Sequence, residues 1–206
     1  MLKVWGRISS VNVQKVVWCA DELGLDYDRV DVGGQFGGND TPGYLAMNPN
    51  GLVPVIEHDG FVLYESNAIV RYLAAQDAAA RLWPAQARAR ADVDRWMEWQ
   101  STNFTPAMWG AFMQLIRTPE DRRDAALVES SRARTEKLAA ILDAHLASRQ
   151  WLAGERFSAA DVVVGCAAHR WLNLPVSRAA RPHLERWYAE LRARPASRQV
   201  TGQPIS

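Results

Sequence analysis

The sequence predicts an α/β domain of order βαβ-loop-ββα followed by an all-helical domain, and three observations carry that prediction. Strand and helix signals alternate from Leu2 to Ala75, strand signals vanish from Gln86 onward, and the segment AQDAAARLWPAQ around Trp83-Pro84 separates the two patterns. The boundaries that follow are 1–78 for the first domain, 79–85 for a linker and 86–206 for the helical domain. A chain of 206 residues can bury the core this division requires.

Each element has its own signal. Residues 2–5 read as a short strand, and Val13, Val16, Val17, Ala20 and Leu23 recur at helical spacing until Gly24 stops the helix. The run DYDRVDV reads as a second strand through Val32, and GGQFGGNDTPGY then reads as a long loop, a class that often carries function. After Pro54, VIE and FVL flank His58-Asp59-Gly60 as a hairpin, and Ile69, Val70 and Leu73 mark the inner face of a helix from about Ser66 to Ala75. Beyond the linker, Val93, Trp96, Met97, Gln100 and Phe104 define one helix, and Leu138, Ile141, Leu142 and His145 another. In FSAADVVVGCAAHRWL, Ser158 and Asp161 have capping-box spacing, with Phe157 placed to staple onto Val162.

Composition excludes several classes. With Lys+Arg 24 against Asp+Glu 23, nothing favours nucleic acid or a membrane surface. The balance hides an asymmetry: residues 1–80 hold 5 basic against 10 acidic side chains and residues 81–206 hold 19 against 13, which reflects either chance and solvated helix faces or a complementarity between domains or between subunits. Cys19 and Cys166 lie far apart without metal-ligand spacing, so neither a disulfide framework nor a metal site is expected. MLKVWGR lacks a signal-peptide core and Val162 to Ala168 is too short to span a bilayer, so a cytoplasmic protein is expected. There is no GxGxxG, P-loop or HExxH.

The chemistry concentrates at two helix starts. RISSVNVQKVVW puts Ser9, Ser10 and Asn12 at the first, where Ser and Asn are ordinary caps but where a thiolate would also be favoured. A hydroxyl aimed at a thiol stabilises its anion, and lowering a thiol from about 8.5 to 6–7 asks for roughly 2–3.5 kcal/mol. The thiol must come from a ligand, because Cys19 lies about 13 Å along the helix from Ser10. In NPNGLVPVIEHDG, a Pro after a strand-like Val is a candidate cis peptide that leaves the Val53 N–H and C=O to pair with an extended peptide ligand. Glu65 and Ser66, at the second helix start, suit the ammonium and carboxylate at the other end of such a ligand, or else a solvated Glu and a capping Ser.

Ser10, Val53-Pro54 and Glu65-Ser66, in a βαβ-loop-ββα domain followed by helices, together resemble the cytosolic glutathione transferases, of the serine-type, theta-like bacterial kind. The resemblance extends through the Ser158/Asp161 pair to the closing RPHLERWYAELRARP. It implies a thioredoxin-like α/β domain that binds glutathione, an all-α domain that supplies an electrophile site, a two-fold homodimer and a role in detoxification. Residue by residue, Ser10 resembles the activating serine, with Ser9 beside it as the other hydroxyl. Val53 would pair with the cysteinyl backbone and Glu65 and Ser66 would hold the γ-glutamyl end, while Leu52 and Pro54, with Asn12 near the thiol and Asn39 in the Gly-rich loop, would complete the glutathione site. Phe104, Met108, Trp109, Phe112 and Met113 form an apolar set around Pro106, and with Arg7 and Ile8 are the expected electrophile site. No Tyr precedes Tyr27, which sets aside a tyrosine-type member, and Cys19 is misplaced for a cysteine-type one.

The expectation is therefore transfer of glutathione, as co-substrate and with no metal, to a small apolar electrophile. Two alternatives stand beside it: a glutathione-dependent peroxidase or thiol reductase using the same thiolate, and a docking module that keeps the fold without catalysis.

Overall fold

In the computed structural model, which describes residues 1–206, β1 (Leu2–Trp5) alternates buried Leu2 and Val4 with half-buried Lys3 and Trp5, the two-residue period of a strand. It lies inside a four-stranded sheet of order β2-β1-β3-β4, parallel to β2 (Tyr27–Val30) and antiparallel to β3 (Val55–His58). A hairpin joins β3 to β4 (Phe61–Tyr64), with Asp59 and Gly60 both at positive φ in its turn. Helices α1 (Val11–Leu23), α2 (Pro42–Met47) and α3 (Ser66–Ala75) complete this domain, a thioredoxin-like arrangement.

Two expectations need correction here. β2 ends at Val30 rather than running on to Val32. The stretch read as one long loop contains α2, whose start is a Thr41 cap with Pro42 in the first turn, where a missing N–H costs nothing. Thr41 Oγ1 accepts from Tyr44 N at 3.4 Å.

No strand follows β4. α4 (Ala87–Trp99) runs into a wide i→i+5 turn at Gln100–Phe104 before α5 (Thr105–Phe112), which carries Pro106 in its first turn. Proline lacks the N–H that would hold the preceding turn in α register. A second wide turn, Met113–Arg117, ends this rod, and α6 (Ala125–Leu146), α7 (Ala159–Asn173), α8 (Pro182–Ala193) and α9 (Arg198–Thr201) follow.

The two domains do not keep separate cores. One cluster runs from Leu2 and Val4 through α1 to Leu142, Trp171 and Trp187. α1 packs on α3 on one side and on α7 on the other. At that second contact a Cβ on Gly165 would lie 2.7 Å from Leu191 Cδ1 and 3.0 Å from the Trp18 ring, so only glycine lets the helices approach this closely. Glu22 closes the same seam, accepting from Arg194 at 2.6 and 2.7 Å and from the Trp18 indole at 3.0 Å. Phe157 lies between Trp18 and Trp151 at ring distances of 6.4 and 5.3 Å, with the Arg194 guanidinium 3.7 Å from its ring centre.

Asp161 organises the start of α7. It is fully buried and accepts from Ser158 N at 3.0 Å, Ser158 Oγ at 3.2 Å, Leu152 N at 3.0 Å and Trp187 Nε1 at 2.9 Å. Burial pushes its carboxyl up to about 6, against the pull of those donors. Asp161→Ala would strand three buried N–H donors at ~1–3 kcal/mol each, whereas Ser158→Ala leaves the carboxylate in place and should cost ~1 kcal/mol. Urea unfolding of both variants at pH 7 checks the ranking, and equal midpoints would refute it.

Candidate functional site

A cavity of about 540 Å³ opens where the loops of the sheet domain face α5 and α7. It falls within the range of small-molecule sites. Its floor is the β1–α1 loop and the start of α1. Ser10 is the residue before α1, with extended backbone (φ −84°, ψ 123°), and its side chain makes no capping bond. The ordinary explanation for a serine there, an N-cap, is therefore not realised, and the hydroxyl is left unspent on a residue that lines the cavity. Ser9 lines the same cavity.

The second wall is the turn before β3. The Val53-Pro54 peptide is cis, and neither the N–H nor the C=O of Val53 takes part in a backbone hydrogen bond. The preceding carbonyl is fully engaged: Leu52 O accepts from Tyr44 Oη and from Asn48 Nδ2, both at 2.8 Å. Asn39 Nδ2 donates to Gly51 O at 2.7 Å, so this side chain holds the loop in place. Leu52 itself is 65% exposed over the opening.

The third wall is the start of α3. Glu65 sits at φ 71°, a left-handed backbone that a non-glycine residue adopts at a cost of order 1–3 kcal/mol, and its carboxylate is the one acidic group on the cavity. Ser66 does not cap the helix. Its hydroxyl donates to Asn12 Oδ1 at 3.3 Å and accepts from Lys15 Nζ at 3.5 Å. Lys15 also donates to Asn67 Oδ1 at 3.2 Å, and Asn67 Nδ2 donates to Met97 O of α4 at 2.9 Å. A chain of polar contacts thus runs from α1 through α3 into the helical domain.

Of the expected electrophile residues, Trp109, Phe112 and Met113 line the cavity, as does Arg7. Phe104, Met108 and Ile8 do not. Phe104 and Met108 are buried in the shared core, where Phe104 stacks on Trp99 at 5.2 Å, and Ile8 packs against that core. Sequence reading also missed Arg117 and Arg170, which join Arg7 on the cavity. Their signal was faint: Arg170 is a lone charge in the apolar helix VVVGCAAHRWL, and Arg117 is one of several arginines in a polar turn.

The titrating groups divide sharply. Burial raises both thiols, Cys166 to about 12 and Cys19 further, so neither supplies a thiolate near neutral pH. Lys15, 2% exposed, is lowered to about 8, first by burial. A depressed ammonium value means the unfolded chain binds the proton more tightly, so Lys15 contributes fully to stability above about 10.5, and that contribution falls as pH drops through 8. Wild type should therefore gain on Lys15→Met by roughly 3 kcal/mol between pH 7 and 10.5, at 1.36 kcal/mol per unit. Parallel stability curves for the two proteins over that range would refute the assignment.

Comparison with known proteins places the chain. Residues 9–76 match the family model described as glutathione S-transferase, N-terminal domain, and residues 104–195 the one described as glutathione S-transferase, C-terminal domain. The chain is 41% identical to glutathione S-transferase GstB of Escherichia coli (strain K12), with 100% of each chain covered. It is 36% identical to glutathione S-transferase 3 of Zea mays, covering 95% of this chain and 90% of that one. A crystal structure of the theta class glutathione S-transferase from Xanthomonas axonopodis pv. citri, with glutathione bound, superposes with a TM-score of 0.95 at 44% identity, covering 100% of this chain and 99% of that one.

Proposed function

The chain belongs to the glutathione S-transferase family, and we propose that its cavity binds glutathione, activates its thiol with Ser10, and directs the thiolate at an electrophile resting on Trp109, Phe112 and Met113. The observation that carries this reading is the unspent Ser10 hydroxyl at the start of α1, on the same cavity as an unpaired Val53 backbone. The tripeptide would lie extended, with its cysteinyl backbone on the Val53 N–H and C=O and its γ-glutamyl end at Glu65 and Ser66. Glutathione bound to the Xanthomonas structure supports the assignment by similarity.

The chemistry follows from the local field. The positive end of α1 and the Ser10 hydroxyl both favour the anion over the thiol. Holding the electrophile against that sulfur supplies proximity. The thiol proton leaves to solvent when the thiolate forms. The sulfur then bonds to the electrophilic carbon, and either the leaving group departs with its electron pair or, in addition, the π pair moves to the neighbouring atom, which takes a proton from solvent. The domain boundaries, a cytoplasmic location and a role in detoxification belong to the same proposal. So does a homodimer, for which the edge strand β4 offers exposed Phe61, Val62 and Tyr64. No helix is long and apolar enough to cross a membrane.

Ser10→Ala should raise the pH midpoint of kcat/KM by about one unit or more and lower kcat/KM about tenfold or more at pH 7, while leaving the calorimetric glutathione Kd within a few-fold. If Ser9→Ala produces that pattern and Ser10→Ala does not, the hydroxyl assignment moves by one residue. Ser66→Ala should instead weaken glutathione binding about tenfold with little change in the pH profile. Light scattering should give twice the 23.0 kDa chain mass, and a species at 23.0 kDa would reject the dimer.

A further inference from the structure

Three arginines from three separate elements meet at the electrophile end of the cavity: Arg7 from the β1–α1 loop, Arg117 from the wide turn after α5, and Arg170 from α7. None makes an ion pair or a side-chain hydrogen bond. That sets them apart from the structural arginines of this chain, since Arg194 is held by Glu22, Arg181 by Glu136, and Arg178 by three backbone carbonyls.

Arg170 is the sharpest case. It is 7% exposed, yet what contacts its charge is an aromatic face, with its guanidinium 3.8 Å from the centre of the Phe112 ring. Arg117 lies over the same ring at 5.6 Å. A cation–π contact orients a guanidinium without neutralising it, and a buried charge left without an anion is costly. Burial and the Arg117 charge push Arg170 down to about 10, which leaves it protonated at neutral pH, and Arg7 is lowered by the same two causes. Arg7 is accommodated by two glycines: a Cβ on Gly34 would come 2.8 Å from its Nε, and one on Gly33 would come 3.1 Å from a terminal nitrogen.

Glu65 is the one carboxylate on the cavity, and the function proposed above assigns it to the ammonium of glutathione. Resting on that reading, we infer that the second substrate carries an anionic group, a carboxylate or equivalent oxyanion, that Arg7, Arg117 and Arg170 receive while Trp109, Phe112 and Met113 hold its apolar body. A planar guanidinium matches a carboxylate in geometry as well as charge. The arginines are then specificity-determining, and what selects the substrate is charge beside an electrophilic carbon rather than apolar bulk alone.

A matched pair of aryl chlorides tests this. In 4-chloro-3,5-dinitrobenzoate and its neutral carboxamide, glutathione sulfur bonds to the ring carbon, the carbon–chlorine bond breaks, chloride leaves with the electron pair, and the thiol proton goes to buffer. For each compound kcat/KM is divided by the rate constant of the uncatalysed reaction with glutathione, which removes the difference in intrinsic reactivity. Wild type should favour the carboxylate at least tenfold on this scale, and the preference should shrink with added salt. Arg117→Gln and Arg170→Gln should each cut the preference fivefold or more. Arg117 is exposed, so its variant carries the test even if the Arg170 variant fails to fold.

Conjugation of both compounds with a preference below twofold overturns the inference and leaves the transferase reading standing. So does a tenfold loss of calorimetric glutathione affinity in the variants with the preference intact, which would assign the arginines to glutathione's own glycyl carboxylate. Absence of both glutathione binding at millimolar concentration and turnover of either compound overturns the transferase reading itself, and the inference with it.

Discussion

The constraint on which this structure turns is that α1 has almost no wet face. Sheet and α3 cover one side and α7 the other, and Val13, Val16, Val17, Trp18, Cys19 and Ala20 are all without solvent contact. A helix packed all round cannot tilt or slide without opening voids in a medium as dense as a crystal. Its first turn is thereby fixed in space, and with it the loop that presents Arg7, Ser9 and Ser10. The close approach at Gly165 and the Glu22–Arg194 bridge hold the other end of the same helix. Precision at the cavity is thus a property of the interface between the domains, which explains why one core serves both.

Burial also dictates what Lys15 of α1 can do. Its ammonium is shut off from bulk water, so its partners must come from the neighbouring helix, and Ser66 and Asn67 supply them, while the exposed Asn12 accepts from Ser66 at the rim. Asn67 in turn reaches α4 through Met97 O. The side chain expected to meet a ligand carboxylate is therefore wired to a buried ammonium and, beyond it, to the helical domain. A charge arriving at Ser66 acts on Lys15 through one contact in a poorly screened interior, where such interactions persist over distances that water would suppress.

The legible part of this molecule was the part written in short periods. A short run at 2–5 marked β1, the three-to-four spacing marked α1 and α3, and Asp59-Gly60 marked the hairpin, because each depends on residues a few positions apart. α2 escaped because its Thr-Pro start is embedded among glycines that read as loop. Phe104 and Met108 were drawn to the electrophile site because they share a helix with Trp109 and Phe112, yet a rod crossing a core has two apolar faces and periodicity does not say which one meets the cavity. Lys15, Arg117 and Arg170 were passed over for a deeper reason. A single cation becomes meaningful only when the elements that meet it are known, and for Lys15 and Arg170 the nearest partners in space, Ser66 and Phe112, are remote along the chain.

Charge counts show the same limit from the opposite direction. A balance of 24 basic against 23 acidic residues argues against long polyanions, whose binding depends on a field spread over a broad surface. It has no bearing on a small anion, because the field in a cavity is set by the few charges on its walls and is focused by the low-dielectric protein around them. Here those walls carry three guanidinium groups against one carboxylate. Near neutrality over the whole chain and a strongly cationic pocket within it are compatible, since the compensating acids lie elsewhere, many of them committed to surface ion pairs. The selectivity of such a site is decided by which arginines lack a partner, and that is a property of tertiary contacts alone.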